Sequence, residues 1–273
     1  MRKWLRFKLL LALVSLGLWA SLLPSLYGDG NDANTITLLA MDGADASTTF
    51  TDDAEGSALT WTAVGNAQID TVQSVFGGAS GLFDGVGDKL TAPDSAVWDF
   101  GTGNYCVDLR IRQTNTSNFL VDISAGDAGG GQGPTIRILG ADRWIIYTQN
   151  NVKIDFTGSA PGTAVWRHVA LNRKGTGASQ LQLFMDGVQI ATGTDAANIT
   201  GGTAGVSIAD NNANGDAFDG WMDEVRISNV SRFGANFTPQ DHAYHIAGGG
   251  GGAAAVVRVL PGFGRKQPTR HWW

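Results

Sequence analysis

Apolar and polar residues alternate along most of the chain, which is the pattern of β-strands that bury one face. In the segment YCVDLRIR at 105–112, apolar side chains occupy the odd positions and mostly polar ones the even positions. Nine further segments have strand character, and six of them end in or are directly followed by Gly, Asp or Asn: 35–41, 59–64, 119–124, 135–139, 144–148, 165–172, 181–185, 188–191 and 221–228. No central segment has a convincing helical period.

A hairpin is predicted where the segments 181–185 and 188–191 are separated only by Asp186 and Gly187. Asp-Gly accepts the positive φ angles of a type I′ turn, which joins two antiparallel strands. Many short strands at close spacing predict an all-β fold, built as an antiparallel two-sheet sandwich or jelly roll.

The two ends of the chain differ from this central region. Residues 1–28 place four cations before an apolar run, which resembles the n-region and h-region of a signal peptide. The length of the run leaves two interpretations open, a cleaved signal or a retained anchor or assembly arm. Five glycines at 248–252 begin a basic, aromatic tail that we expect to be flexible. The predicted parts are therefore 1–28, a domain at 29–247, and a tail at 248–273.

Charge changes the expected partners. Eight of the 19 basic residues lie in the two end segments, which contain no acid, so residues 29–247 hold 11 basic against 25 acidic residues, a net charge of −14. Such a body repels phosphate backbones, which disfavours nucleic acid, and it suits divalent cations and neutral ligands. The single cysteine, Cys106, excludes an internal disulfide.

Seven short blocks follow one another in a fixed order: LLAMDG at 38–43, STTFTD at 47–52, FGGASGLFDG at 76–85, WDFGTG at 98–103, WRHVA at 166–170, FMDG at 184–187 and MDEVRIS at 222–228. Their order over about residues 36–235 resembles the concanavalin A-like, laminin-G-like jelly-roll family, and in detail its members in bacteriophage virion proteins. The resemblance implies two packed antiparallel sheets and a binding or structural role more often than catalysis.

One acid in the last predicted strand suggests a cation site. Alternation over 221–228 puts Asp223 on the same face as Val225 and Ile227, and an unpaired buried carboxylate costs several kcal/mol. Asp223 therefore needs a cation or backbone N–H donors beside it. The family resemblance implies a calcium ion held by Asp223, by Asp42 of the first strand and by backbone carbonyls. A hydrogen-bonded structural Asp explains the pattern equally well, and both interpretations stay open.

Candidate ligand-binding residues are aromatic and amide side chains. An Asx-rich loop before the last strand contains Asn211, Asn212 and Asp216, and loops of this kind gather at one rim of a jelly roll. We expect Trp144 to be exposed there as a stacking platform for a sugar ring. A solvated loop and a tryptophan in the core are the alternative explanation.

Catalysis is not expected. Asp223 and Glu224 are adjacent, so alternation points them to opposite faces and they cannot form the carboxylate pair of a glycosidase. His168 has no Ser or Cys nucleophile motif beside it, so we interpret it as a structural histidine.

The leading hypothesis is a noncatalytic virion component, such as a decoration, tail or fibre protein, that contacts host glycans or other virion proteins. The alternative is a secreted or membrane-anchored bacterial lectin or adhesin at the cell surface, and a glycan hydrolase is the third hypothesis. Membrane contact through residues 1–28 and assembly into a homo-oligomer are compatible with each of them.

Overall fold

The computed structural model describes residues 30–57, 59–116, 118–123, 133–200, 205–210 and 217–244. These residues form two antiparallel sheets and a single short 3-10 helix, Ala96–Trp98. The predicted all-β two-sheet sandwich is therefore confirmed. The segment 1–28 and the tail 248–273 lie outside the described residues. No helix among the described residues is long and apolar enough to cross a membrane.

The strands have the following bounds: β1 (Thr35–Leu39), β2 (Thr62–Val64), β3 (Gln68–Asp70), β4 (Ser80–Asp84), β5 (Lys89–Ala92), β6 (Tyr105–Gln113), β7 (Asn118–Ile123), β8 (Thr135–Leu139), β9 (Arg143–Thr148), β10 (Asn151–Thr157), β11 (Arg167–Arg173), β12 (Leu181–Met185), β13 (Val188–Gly193), β14 (Val206–Ile208) and β15 (Asp219–Ser228).

One sheet has eight strands in the order β13-β12-β11-β6-β15-β4-β3, and β1 pairs with β15 beside β4. The other has seven strands in the order β10-β9-β8-β7-β14-β5-β2. Their inner faces enclose the core, because Val107, Leu109 and Ile111 of β6 share one hydrophobic cluster with Ile138 and Ile146 of the facing sheet. The alternation at 105–112 thus sets the inner face as predicted.

The predicted hairpin is present between β12 and β13. Asp186 and Gly187 have φ angles of 50° and 77°, as a type I′ turn requires. A Cβ atom on Gly187 would lie 1.9 Å from the carbonyl oxygen of Phe237, so the turn also permits a close approach of the C-terminal region.

Two segments cover much of the outer face of the eight-stranded sheet. The first is the 71–79 loop, in which the N–H groups of Val75 and Phe76 donate hydrogen bonds to the Asp223 carboxylate of β15. The second is residues 229–244, here called the strap, in which Phe233 and Phe237 stack with their ring centroids 3.8 Å apart. As a consequence β15 is buried at almost every position, on both of its faces.

Candidate functional site

A β-bulge in β15 decides where Asp223 points. Asp223 pairs with Arg110 of β6, and after a register shift Arg226 pairs with Asp108. The shift adds one residue to β15, so that Glu224, with a φ angle of 51°, and Val225 together oppose Leu109. Asp223 therefore lies on the outer face with Arg110, whereas Val225 returns to the core. The expectation that Asp223 shares a face with Val225 and Ile227 was wrong, because the bulge interrupts strict alternation.

Asp223 is fully buried, and only one of its carboxylate oxygens is hydrogen-bonded. Its Oδ2 accepts hydrogen bonds from Val75 N at 2.7 Å and Phe76 N at 3.2 Å, which are the backbone donors that the sequence required. Its Oδ1 has no partner. Burial, together with a smaller contribution from the nearby charge of Asp42, raises the pKa of Asp223 to about 7.

Asp42 lies against the same loop as Asp223. Its carboxylate accepts a hydrogen bond from the Ala79 N–H and occupies the space that a side chain at Gly77 would need. Burial raises the pKa of Asp42, although the residue keeps an exposed fraction. The structure thus brings together the two acids that the family resemblance had linked.

Glu224 is a third acid here, and sequence reasoning missed it as a partner of Asp223. It is 1% exposed; its Oε2 accepts a hydrogen bond from Tyr244 N at 2.8 Å and its Oε1 has no partner. Burial raises the pKa of Glu224 to about 8, with smaller contributions from Asp223 and Asp42. The adjacent Asp-Glu pair was visible in the sequence, but only the bulge makes the two side chains neighbours of one site.

The chemistry of this site suits a hard cation, because its donors are all oxygens and one buried oxygen of Asp223 lacks a partner. Within the part of the chain that the structure describes, no three His, Cys, Asp or Glu side chains are grouped so as to hold a metal ion. Calcium bound by Asp42 and Asp223 would therefore take its remaining ligands from backbone carbonyls or water.

A buried charge network lies beside this site, under the strap. Asp108 is fully buried and accepts hydrogen bonds from Arg226 Nε at 2.9 Å and Nη2 at 3.2 Å, and from the Tyr244 hydroxyl. His168 Nε2 lies 3.3 Å from Asp108 Oδ2. Burial alone would raise the pKa of Asp108, but Arg226 and His168 outweigh it and the pKa is lowered. This cluster fastens the strap to β6 and β15.

The predicted ligand-binding residues do not form a site among the described residues. Trp144 is fully buried in the core, where its Nε1 donates a hydrogen bond to the Ser159 carbonyl at 3.1 Å, so the expectation of an exposed ring was wrong. The reason is the phase of β9, which turns Trp144 and Ile146 inward and Tyr147 outward. Asn211, Asn212 and Asp216 lie outside the described residues.

A row of polar side chains crosses the outer face of the seven-stranded sheet, and we call it the polar row. Its members occupy paired positions on five adjacent strands, and Thr135 Oγ1 donates to Asp122 Oδ1 at 3.0 Å. Asp122, Thr135 and Ser207 are at most 7% exposed, and the Ser207 hydroxyl donates to the Asp210 carbonyl, whereas Thr91 and Tyr147 at the two ends of the row are partly exposed. The members are Thr91, Ser207, Asp122, Thr135 and Tyr147.

Solved structures with the same fold include toxin domains and an enzyme. The binding domain of Paraclostridial mosquitocidal protein 1 matches with a TM-score of 0.54 and 12% identity over 72% of this chain and 49% of its own. Botulinum neurotoxin type C, whose cell entry depends on interaction with two ganglioside molecules, matches with a TM-score of 0.52 and 14% identity over 72% of this chain and 48% of its own. Trypanosoma rangeli sialidase matches with a TM-score of 0.54 and 12% identity over 74% of this chain and 32% of its own.

These likenesses show the fold alone, and this chain spans about half or less of each matched chain. A search of curated proteins gave no sequence match. The laminin-G model of the concanavalin A-like lectin/glucanases superfamily matches residues 84–235, which is more than half of the chain and includes most of both sheets. The protein therefore belongs to the concanavalin A-like lectin/glucanases superfamily.

Proposed function

We propose that this protein is a noncatalytic carbohydrate-binding domain whose glycan site is the outer face of the seven-stranded sheet. The observation that carries the proposal is the polar row, whose buried centre is polar and whose partly exposed ends are the Thr91 hydroxyl and the Tyr147 ring. Sugar binding needs this combination, because hydroxyl groups require hydrogen-bond partners and the apolar side of a pyranose packs on an aromatic ring.

The comparisons support the ligand class without naming a sugar. The family description includes lectins, one toxin match is a binding domain, and another is a toxin whose cell entry depends on two ganglioside molecules. The acidic body favours neutral glycans over polyanions, because like charges repel.

The spacing of acids on this face argues against a glycosidase. The strands of the seven-stranded sheet contain two acids, Asp122 in β7 and Asp155 in β10. Three strand spacings separate β7 from β10, which is roughly 14 Å, whereas catalytic carboxylates lie about 5 to 9.5 Å apart. Asp155 is moreover paired with Arg143 at 2.7 Å.

A glycan array followed by titration calorimetry on the full-length protein tests the proposal. Replacing Tyr147 with Ala should weaken binding of the best glycan about tenfold, the loss of one aromatic contact. Thr157→Ala, at an exposed position of the same sheet, is the control and should bind normally. Absence of binding to any glycan, or unchanged affinity of a folded Tyr147→Ala variant, would overturn the proposal.

We also propose that Asp42 and Asp223 bind calcium. The support is the partner-free Oδ1 of the buried Asp223 next to Asp42. Such an ion would neutralise the clustered acids and hold the 71–79 loop on the sheet, which is a structural role. The carboxylates supply the charge, and the backbone N–H groups of Val75 and Phe76 already orient Asp223.

The biological setting remains part of the proposal. A virion component should appear in purified phage particles by mass spectrometry with residues 1–28 intact, whereas a secreted lectin or adhesin should appear in the medium or at the cell surface, processed or anchored at its N-terminus. Contacts with virion proteins, with a membrane or with further copies of the chain are tested by cross-linking in the same fractions.

A further inference from the structure

Three of the five tryptophans in the sandwich are buried, and the other two lie on the outer face of the eight-stranded sheet or at its end. Trp61, Trp98 and Trp144 are at most 7% exposed. Trp221 and Trp166 are each partly exposed. A tryptophan that keeps solvent contact in a domain with ample core space is a candidate for binding.

Trp221 lies beside an arginine and is held in place. It pairs directly with Arg112 across β15 and β6, and the Arg112 guanidinium carbon lies 5.7 Å from the ring centroid. The indole Nε1 donates a hydrogen bond to Asp70 Oδ1 at 3.1 Å. Arg112 Nε donates to Gln73 Oε1 at 2.8 Å, and its Nη1 is buried without a partner. Both groups are therefore pre-oriented before any ligand binds.

Residues on the neighbouring strands extend this surface. Leu82 of β4 pairs with Trp221, and Gln68 of β3 pairs with Leu82. On the other side, Arg167 of β11 pairs with Ile111. Trp166 directly precedes β11, and by continued alternation we place it on the outer face beside Arg112. We call this set the tryptophan patch, and its members, all partly exposed, are Gln68, Leu82, Trp221, Arg112 and Trp166.

The size and chemistry of the patch fit a short saccharide. It spans four strand spacings, about 19 Å, which accommodates a few sugar rings but is narrow for a stable protein interface of about 800 Å² per partner. Indole rings pack on the apolar side of a pyranose, while Arg112 and Gln68 offer donors and an acceptor to its hydroxyls. Asp70 beside Trp221 disfavours an anionic sugar.

We infer that the tryptophan patch is a second saccharide site, for a neutral pyranose chain, on the side of the sandwich opposite the polar row. The inference deepens the proposed function, because it makes the carbohydrate-binding domain two-sided. Trp221 is the stacking residue, and Arg112, whose guanidinium lies over the Trp221 ring, is the hydrogen-bond donor beside it.

The test uses the full-length protein and two variants on opposite faces, Trp221→Ala and Tyr147→Ala, each serving as control for the other. Titration with a neutral oligosaccharide selected on the glycan array should show two sites in the wild type and one in each variant. The saccharide should quench tryptophan fluorescence in the wild type and in Tyr147→Ala, and this quenching should be lost in Trp221→Ala. Trp221→Phe, which keeps an aromatic ring, should retain binding within about tenfold.

The outcomes separate the two hypotheses. One site in the wild type with unchanged binding by Trp221→Ala overturns the patch and leaves the proposed function intact. Absence of saccharide binding overturns both. If Trp221→Ala loses all binding and Tyr147→Ala binds like the wild type, the patch is supported and the polar row is overturned as the glycan site. If Trp221→Ala melts far below the wild type, Arg112→Gln replaces it, and unchanged binding by that variant overturns the inference.

Discussion

The two sheets share one core, yet their outer faces are built differently. The 71–79 loop and the strap cover much of the eight-stranded sheet, so charged side chains such as Asp108 and Arg226 are buried and must be paired there. Edge strand β10 of the seven-stranded sheet keeps an alternation of exposed and buried residues, and its Arg143–Asp155 ion pair is exposed. Segments distant in the sequence therefore decide, by covering a strand or leaving it uncovered, whether a charged side chain on the outer face is buried in an ion pair or exposed to solvent. The composition of the strand does not decide this.

The largest test of this difference compares the two ion pairs. Asp108→Asn leaves Arg226 buried without its counter-charge, which typically costs about 3–5 kcal/mol of unfolding free energy. Asp155→Asn breaks an exposed pair, and we expect little change because solvent screens it. Urea denaturation measures both variants. Equal effects of the two substitutions would contradict the distinction between the faces.

A second prediction concerns acid. The pKa of Asp108 is lowered in the fold, so its stabilising contribution is present above its unfolded value near 3.8 and is lost as the pH falls below it. Burial also lowers the pKa of His168, so protonation below its ordinary value of 6.5 opposes folding. We expect the strap to become sensitive to proteolysis as the pH falls from about 6 to 3. Asp108→Asn should show a shallower acid dependence, measured by limited proteolysis and by urea denaturation at each pH; an identical profile would contradict this assignment.

The smallest expected effect is that of calcium on the free energy of unfolding, through the site beneath the 71–79 loop. If Asp42 and Asp223 bind the ion, calcium at about 100 times its Kd stabilises the fold by about 2.7 kcal/mol. Thermal unfolding with calcium and with chelator should differ for the wild type and for the Asp122→Asn control on the other face. Asp223→Asn should abolish the difference, and a calcium response that survives this substitution would remove Asp223 from the site.

Much of the fold was predictable, because strand alternation is a local property. The inner face of β6, the Asp186-Gly187 hairpin and the two-sheet architecture all follow from residues close together in the sequence. The candidate site was predictable only in part. The family resemblance linked Asp42 to Asp223, but alternation gave Asp223 the wrong face, because a bulge adds residues that no propensity marks.

The sequence by itself predicted ten of the fifteen strands, the Asp186-Gly187 turn, the family and the acidic body, whereas β3, β4, β5, β10 and β14 were not predicted. The tertiary structure decided which tryptophans are exposed, since Trp144 and Trp221 both lie in strands and differ only in which face meets the core. It also decided the partners of Asp108, because Tyr244 reaches it from 136 residues away. Alternation fixes that side chains point to opposite faces, but which face is buried, and by what, depends on contacts between segments distant in the chain.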